Sequence, residues 1–347
     1  MSVGTRGENL IFVISQPRAG STMLQRMLGG HEGIHTVSEP WLMLHPLYAL
    51  RAEGHEAEYD AANARRAVRE FLGTLPRGEE EYIEGVRRMC AHLYDVALQN
   101  SGKRYFLDKT PRYYLIIPEL VRAFPEARYI ILLRNPLSML GSVLNTWIKG
   151  QWSSLYSFRH DLIEAPRLLV EGRGVLPEDG LVVRYEELVT KPEDEMRRIC
   201  RMLGEEFTPE MVEYNARELP RWTFGDQGGV YQHTRPVAGN AQKWIAALHD
   251  PQVWRLTHDY LRLLGRELVG QMGYDYDELE QTVEKERPNR ARLWPTLPLA
   301  WFLKEPVEKR RKWQRGVARL AHSLRRRGSK GVEDETRRKA SLAAESQ

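Results

Sequence analysis

The sequence is poor in cysteine and has no long hydrophobic run. Its 347 residues include two cysteines, Cys90 and Cys200, which lie far apart and lack metal-ligand spacing. A disulfide scaffold or a zinc ribbon is therefore excluded, and we expect a reducing, cytoplasmic setting. The apolar run at residues 10–14 is too short for a signal peptide, and the run at 294–303 is broken by two prolines. We therefore expect no membrane-spanning segment.

An excess of charge of one sign is also missing from most of the chain. The net charge is +4, but residues 304–339 hold 14 Lys and Arg against 5 Asp and Glu, so the remaining residues sum to −5. The folded body is therefore not expected to bind nucleic acid.

The basic segment has a pattern of its own. Apolar residues recur at helical spacing within residues 304–327, among Lys and Arg: Trp313, Val317, Leu320 and Leu324. This spacing predicts a basic amphipathic helix that can contact an anionic membrane surface. We predict a main domain over residues 1–300, and this helix with a disordered tail over 301–347.

Short apolar runs, each followed by a helical pattern, recur along the main domain. They are typical of buried strands and lie at residues 10–15, 105–107, 129–133 and 181–183. This strand-then-helix order predicts an α/β fold with a parallel sheet flanked by helices.

Two segments between these elements have distinct patterns. Residues 61–72 and 79–98 show helical spacing, and we interpret the region at about 41–100 as a helical cap over an acceptor. Residues 216–243 contain four glycines and no clear periodicity. They are interpreted as a long loop, which at this length is usually functional.

The segment LIFVISQPRAGST joins a buried strand to a helix through small residues. Gly20 allows close approach of an anion to the backbone, and Ser21 or Thr22 can cap the helix, whose N–H groups favour negative charge. Arg18 adds charged donors. The lysine that follows the second glycine in GxxxxGK[ST] is missing here. Residues 17–22 are therefore predicted to bind phosphate groups.

A second basic position follows the run at 129–133. Arg134 leaves this strand, and Ser142 comes eight residues later. The two motifs together resemble sulfotransferases that use 3′-phosphoadenosine 5′-phosphosulfate (PAPS), especially the protein-tyrosine sulfotransferases and their bacterial relatives. The resemblance implies a P-loop-like fold, donor binding by residues 18–22 (Arg18, Ala19, Gly20, Ser21, Thr22) and a 3′-phosphate on Arg134 and Ser142.

Further residues carry the resemblance in the same order along the chain. Glu39 lies 21 residues after Arg18, which is the spacing of the general base in the tyrosine-sulfotransferase branch. Lys109 in LDKTP matches a lysine near the sulfuryl group, and Tyr185 in RYEEL matches a tyrosine that contacts adenine. The resemblance therefore implies Glu39, Arg18 and Lys109 as catalytic residues.

A late Lys-Trp pair resembles the loop that closes over the donor in this family. The pair is Lys243 with Trp244, and Arg235 lies shortly before it. Both Arg235 and Lys243 are expected to contact the donor. An additional arginine of tyrosine sulfotransferases is Thr146 here, so the acceptor stays open among carbohydrates, lipids, phenols and peptides.

The resemblance implies a metal-independent reaction that leaves 3′,5′-adenosine bisphosphate (PAP). Two other functions are weighed against it. One is a kinase that uses ATP and magnesium, with Asp108 as the metal ligand. The other is a non-enzymatic nucleotide-binding protein that docks on membranes through its basic tail. The HExxH pattern from His31 to His35 is not interpreted as a zinc site, because adjacent glycines argue against the helix that such a site needs.

Overall fold

The computed structural model describes residues 2–51, 57–214, 224–225 and 229–288. The predicted basic helix and tail lie outside these residues. Within them, five strands form one sheet in which every neighbouring pair is parallel. The strands are β1 (Leu10–Ser15), β2 (Ile34–Thr36), β3 (Tyr105–Lys109), β4 (Arg128–Leu133) and β5 (Leu181–Arg184).

Helices flank this sheet and fill most of the connections between its strands. Those that precede β5 are α1 (Ser21–Gly29), α2 (Leu44–Tyr48), α3 (Ala61–Leu72), α4 (Glu79–Gln99), α5 (Ile117–Ala123), α6 (Pro136–Val143) and α7 (Ala165–Arg173). Those that follow it are α8 (Tyr185–Thr190), α9 (Pro192–Leu203), α10 (Gly229–Gln232), α11 (Lys243–Ala246), α12 (Pro251–Gln271) and α13 (Tyr276–Lys285).

The order of the strands positions the site. It runs β2-β3-β1-β4-β5, so the chain first builds one side of β1 and then crosses to the other side. In open parallel sheets, ligands bind beyond the carboxyl ends of the strands where this reversal occurs. The loop that follows β1 lies at that point.

Strand β1 is buried on both faces because its side chains alternate between two cores. Phe12 packs among aromatic rings on one face, including Tyr94 and Tyr129. Ile11 and Val13 face the other core, together with residues of α1 and α9. A strand that contacts two cores is fixed in register, so the loop after it is held firmly.

The predicted parallel sheet flanked by helices is confirmed. The sequence pattern missed β2, a three-residue edge strand that pairs with β3, and it placed residues 34–36 in a turn. Because His35 lies in this strand, the HExxH pattern does not form a helical zinc motif. Residues 238–243 of the predicted long loop contain a 3₁₀ turn, Ala238–Ala241, and the start of α11.

The helices predicted at 61–72 and 79–98 correspond to α3 and α4. Among the residues that the structure describes, no helix combines the length and the apolar character needed to cross a membrane.

Candidate active site

The loop between β1 and α1 presents the start of a helix to a cavity. Gly20 takes the N-cap position with φ 97°, and no side chain caps the helix, so the prediction that Ser21 or Thr22 does so is wrong. Both residues lie inside the first turn, where backbone N–H groups have no intrahelical acceptor. No acidic side chain lies in that turn. The helix start therefore offers donors and a positive dipole end to an anion.

Tyr185 explains why position 20 is a glycine. A Cβ atom on Gly20 would lie 2.5 Å from Cδ2 of Tyr185, the first residue of α8. The Arg134 guanidinium carbon lies 4.1 Å from the centroid of the same ring. Because Gly20 and Arg134 both pack on it, Tyr185 joins the loop to the end of β4.

Arg134 is partly buried and directed at the loop. Its Nη1 donates to the carbonyl oxygen of Arg18 at 2.8 Å, and its Nη2 donates to that of Asn240 at 3.2 Å. Burial lowers the pKa of Arg134, because a desolvated charge is disfavoured. The guanidinium therefore brings positive charge to the cavity wall, where an anion would offset the cost of its burial.

Arg18, within this loop, has a strained backbone conformation. Its φ is 77°, a region that non-glycine residues rarely occupy. Its Nε donates to Oγ of Ser142 at 3.4 Å, and its guanidinium carbon lies 5.8 Å from the Trp147 ring centroid. Strain of this kind is found mainly at ligand sites, where the surroundings enforce it.

Glu39 and Lys109 meet beside the loop. The fully buried Nζ of Lys109 donates to Oε1 of Glu39 at 2.5 Å, and the indole Nε1 of Trp41 donates to Oε2 at 3.1 Å. Both carboxylate oxygens therefore have a donor, and the side chain is 9% exposed. This arrangement fixes the orientation of a carboxylate that lines the cavity.

Asp108 points into the core rather than into the cavity. Its carboxylate accepts hydrogen bonds from the hydroxyl groups of Tyr94, Tyr113 and Thr110, at 2.6, 2.9 and 2.8 Å. Burial raises its pKa to about 6, although the three hydroxyl donors oppose this shift. The oxygens that a metal would need are thus engaged by hydroxyl groups.

Arg112, which the sequence did not indicate as a site residue, lines the same cavity as Glu39. Nε and Nη2 of Arg112 donate to Oδ1 and Oδ2 of Asp161 at 3.1 and 2.7 Å, and the Tyr114 hydroxyl donates to Oδ1 at 2.8 Å. Asp161 is buried, and its backbone oxygen accepts from the side chain of Gln16. Arg112 is therefore held rigidly from behind.

These groups surround one cavity of about 430 Å³. Its lining contains Arg18, Gly20, Ser21, Thr22, Glu39, Arg134 and Tyr185 from the predicted set, and Trp41, Arg112, Trp147, Phe224, His233 and Asn240 besides. Lys109 and Ser142 contact lining residues, and Ala19 is buried within the loop. The structure thus brings together residues from six parts of the chain, at 18–22, 39–41, 109–112, 134–147, 185 and 224–240.

Two predicted donor contacts lie apart from this cavity. Arg235 is exposed and forms an ion pair with Glu193 at 3.4 Å, and Lys243 is exposed at the start of α11. Neither residue lines the cavity. Trp244 is buried against α6. A Cβ atom added to Gly141 of this helix would lie 2.9 Å from the Cβ of Trp244. A donor contact by Arg235 or Lys243 stays a prediction.

Of the predicted helical cap, only its first residue, Trp41, lines the cavity in the described part of the chain. The position of Arg112, three residues beyond the end of β3, could have indicated it, because the carboxyl ends of parallel strands carry ligand-binding residues. Asp161 follows no strand and no motif, so its pairing with Arg112 had no sequence signal.

Comparison with known proteins identifies the family to which this chain is similar. A model described as the sulfotransferase family matches residues 10–209. The nodulation protein NoeE of Sinorhizobium fredii is 28% identical over 291 residues, which cover 77% of this chain and 66% of that protein. Protein-tyrosine sulfotransferase 2 of Gallus gallus is 22% identical over 280 residues, which cover 77% of this chain and 69% of its own length.

Solved structures are also similar to this chain. The sulfotransferase domain from the curacin biosynthetic pathway matches with a TM-score of 0.49 and 20% identity, over 76% of this chain and 97% of that domain.

Proposed function

The chain belongs to the sulfotransferase family, and from this premise we propose that it transfers a sulfuryl group from PAPS to an acceptor hydroxyl or amine. The observation that carries the proposal is the convergence on one cavity of a helix start suited to anions, partly buried Arg134 and the Glu39–Lys109 pair. The first two suit a phosphorylated donor, and the third suits proton transfer from an acceptor.

Donor binding is supported by the distribution of positive charge. The N–H groups of Ser21 and Thr22 and the Arg18 side chain would hold the 5′-phosphosulfate, while Arg134 and Ser142 would hold the 3′-phosphate. Ser142 accepts a hydrogen bond from Arg18 and lies beside the loop, so both phosphate positions fall within one connected set of donors. Tyr185 lines the cavity between Gly20 and Arg134, next to the expected adenine position.

The donor supplies the sulfuryl group, and the residues supply orientation and charge. Glu39 accepts the proton of the acceptor hydroxyl while the acceptor oxygen bonds to sulfur and the bond from sulfur to the phosphate oxygen breaks. Negative charge then grows on that phosphate oxygen, which leaves as part of PAP. Arg18, Lys109 and the loop amides stabilise this charge by the electrostatics that govern phosphoryl transfer.

Kinase activity with Asp108 as a magnesium ligand receives no support from the geometry. Three hydroxyl groups already donate hydrogen bonds to this carboxylate in the core. Docking on membranes through the basic tail concerns residues outside the described part of the chain, and it stays a secondary proposal.

A substitution of the base tests the proposal. Glu39→Gln removes the proton acceptor but keeps a side chain of the same shape, so sulfate transfer from radiolabelled PAPS should fall at least about a hundredfold. Binding of PAP, measured by calorimetry, should be retained. Normal transfer in this variant would remove Glu39 from the mechanism, and failure of the unmodified protein to bind PAP would refute the donor.

A further inference from the structure

Arg112 presents one edge of its guanidinium to the cavity. Nε and Nη2 are held by the buried carboxylate of Asp161, while Nη1 makes no hydrogen bond to the described part of the chain. The side chain is 36% exposed and lines the cavity. A guanidinium that is fixed on one edge and accessible on the other is suited to bind an oxygen atom with defined geometry.

Trp41 lies next to this arginine and is held in a strained conformation. Its φ is 56°, which is unusual for a residue with a bulky side chain. The indole N–H contacts Glu39, and the Arg112 guanidinium carbon lies 5.6 Å from the ring centroid. The strained backbone therefore places one ring between the base and the arginine, as is typical of residues that form ligand sites.

Two further aromatic residues, Phe224 and Trp147, line the same cavity. Phe224 lies 6.4 Å from Trp41 between ring centroids, and Trp147 stacks on Phe158 at 4.9 Å. Trp147 remains 37% exposed although it is large and apolar. Rings of this kind pack on the flat face of another ring.

The charge balance of the wall favours a neutral ligand. Arg112 and Asp161 form a pair without net charge, and so do Lys109 and Glu39. An anionic acceptor would also lie close to the charged donor. The Nη1 edge is therefore better suited to a hydroxyl or ether oxygen than to a carboxylate.

Building on the transfer proposed above, we propose that Trp41 and Arg112 form the acceptor subsite, and that it takes a neutral ring with at least two oxygens. One hydroxyl of this ring meets Glu39, a neighbouring oxygen accepts from Nη1 of Arg112, and the ring face packs on Trp41. A sugar ring and a catechol-like phenol share this chemistry.

Binding of small probes to the PAP complex tests the subsite without any known acceptor. The protein is labelled with ¹⁵N-tryptophan, and the indole signal of Trp41 is assigned by its loss in Trp41→Phe. We expect catechol and methyl glucoside to shift this signal in a saturable way. Catechol should bind about three- to tenfold more tightly than phenol, because it adds one hydrogen bond. The ranking of catechol and methyl glucoside indicates which source of the ring is favoured.

Arg112→Gln should abolish the preference for catechol over phenol and leave the affinity for PAP unchanged. Arg112→Lys serves the same purpose if the first variant does not fold, because lysine keeps a charge beside Asp161 but lacks the planar fork. The control is Arg167→Gln, which alters an exposed arginine of α7 paired with Glu171 and should keep the preference.

Three results would overturn the subsite. They are equal binding of phenol and catechol by the unmodified protein, a preference that survives both Arg112 variants, and tighter binding of 4-hydroxybenzoate than of catechol. Failure of the unmodified protein to bind PAP would instead refute the proposed donor. Failure of the subsite and failure of the donor are therefore distinguishable.

Discussion

At the scale of single residues, the site depends on charged groups that buried partners hold in place. Glu39 is held by Lys109 and Trp41, and Arg112 is held by Asp161. Asp108 differs from these residues, because hydroxyl groups rather than cations surround it. Its role is to fix the end of β3, from which Lys109 reaches Glu39.

Asp108 should make stability depend on pH. Burial raises its pKa to about 6 in the folded protein, whereas the unfolded chain loses this proton at the ordinary value near 4. The folded state therefore holds more protons between these values, and stability falls as the pH rises through them, by on the order of 3 kcal/mol.

Asp108→Asn removes this titration. The difference in unfolding free energy between the unmodified protein and the variant, measured by urea denaturation, should therefore have one value near pH 4 and another near pH 7. The same difference at both pH values would show that Asp108 ionises normally in the folded state.

At the scale of elements, the turn from β1 to α1 is the feature that the rest of the site surrounds. Positive φ angles occur at both Arg18 and Gly20, so the loop departs from ordinary backbone at two nearby positions. Tyr185 of α8 closes against Gly20. The donor loop is therefore shaped by an element more than 160 residues later in the chain.

Gly20→Ala should disturb this contact. The new methyl group would lie 2.5 Å from the Tyr185 ring, and alanine is disfavoured at φ 97°. The loop must shift, so we expect the affinity for PAP to fall at least about tenfold, as measured by calorimetry.

Gly85→Ala is the matched control. Gly85 lies within α4 with no atom near the position of an added Cβ, so alanine should raise stability by up to about 1 kcal/mol without changing PAP affinity. Unchanged affinity in Gly20→Ala would mean that the tight loop is not required for donor binding.

Sequence patterns predicted the elements that have strong local signals. Strand β1 matches its predicted bounds because a run of buried apolar residues ends at a polar turn. Strand β2 was missed because three residues at a sheet edge are too few to show a pattern. The Arg112–Asp161 pair joins residues 49 positions apart, and only tertiary packing brings them together.

At the scale of the whole molecule, the described residues of the site lie in the first part of the chain. Every described residue that lines the cavity precedes residue 241, and the last described helix, α13, ends at Lys285. The excess of positive charge lies beyond this point, because residues 304–339 hold 14 Lys and Arg against 5 Asp and Glu, whereas the remaining residues sum to −5. The proposed donor site and the basic tail therefore lie in different parts of the chain.

A chain that ends at Pro288 should bind PAP as tightly as the full chain, because it retains every cavity residue that the structure describes. Its binding to vesicles that contain anionic lipid should be lost, if the tail contacts membranes as the sequence indicates. Calorimetry and vesicle sedimentation measure the two properties. Loss of PAP binding on truncation would contradict the separation.

The central claim is that this cavity holds a PAPS-type donor rather than a nucleoside triphosphate. Calorimetric titration with PAP and with ATP, each with magnesium and with excess EDTA, tests it most directly. The account predicts that PAP binds in both conditions and that Arg134→Gln weakens this binding at least about tenfold, because a partly buried charged contact is lost. Binding of ATP with magnesium, and no binding of PAP, would contradict it.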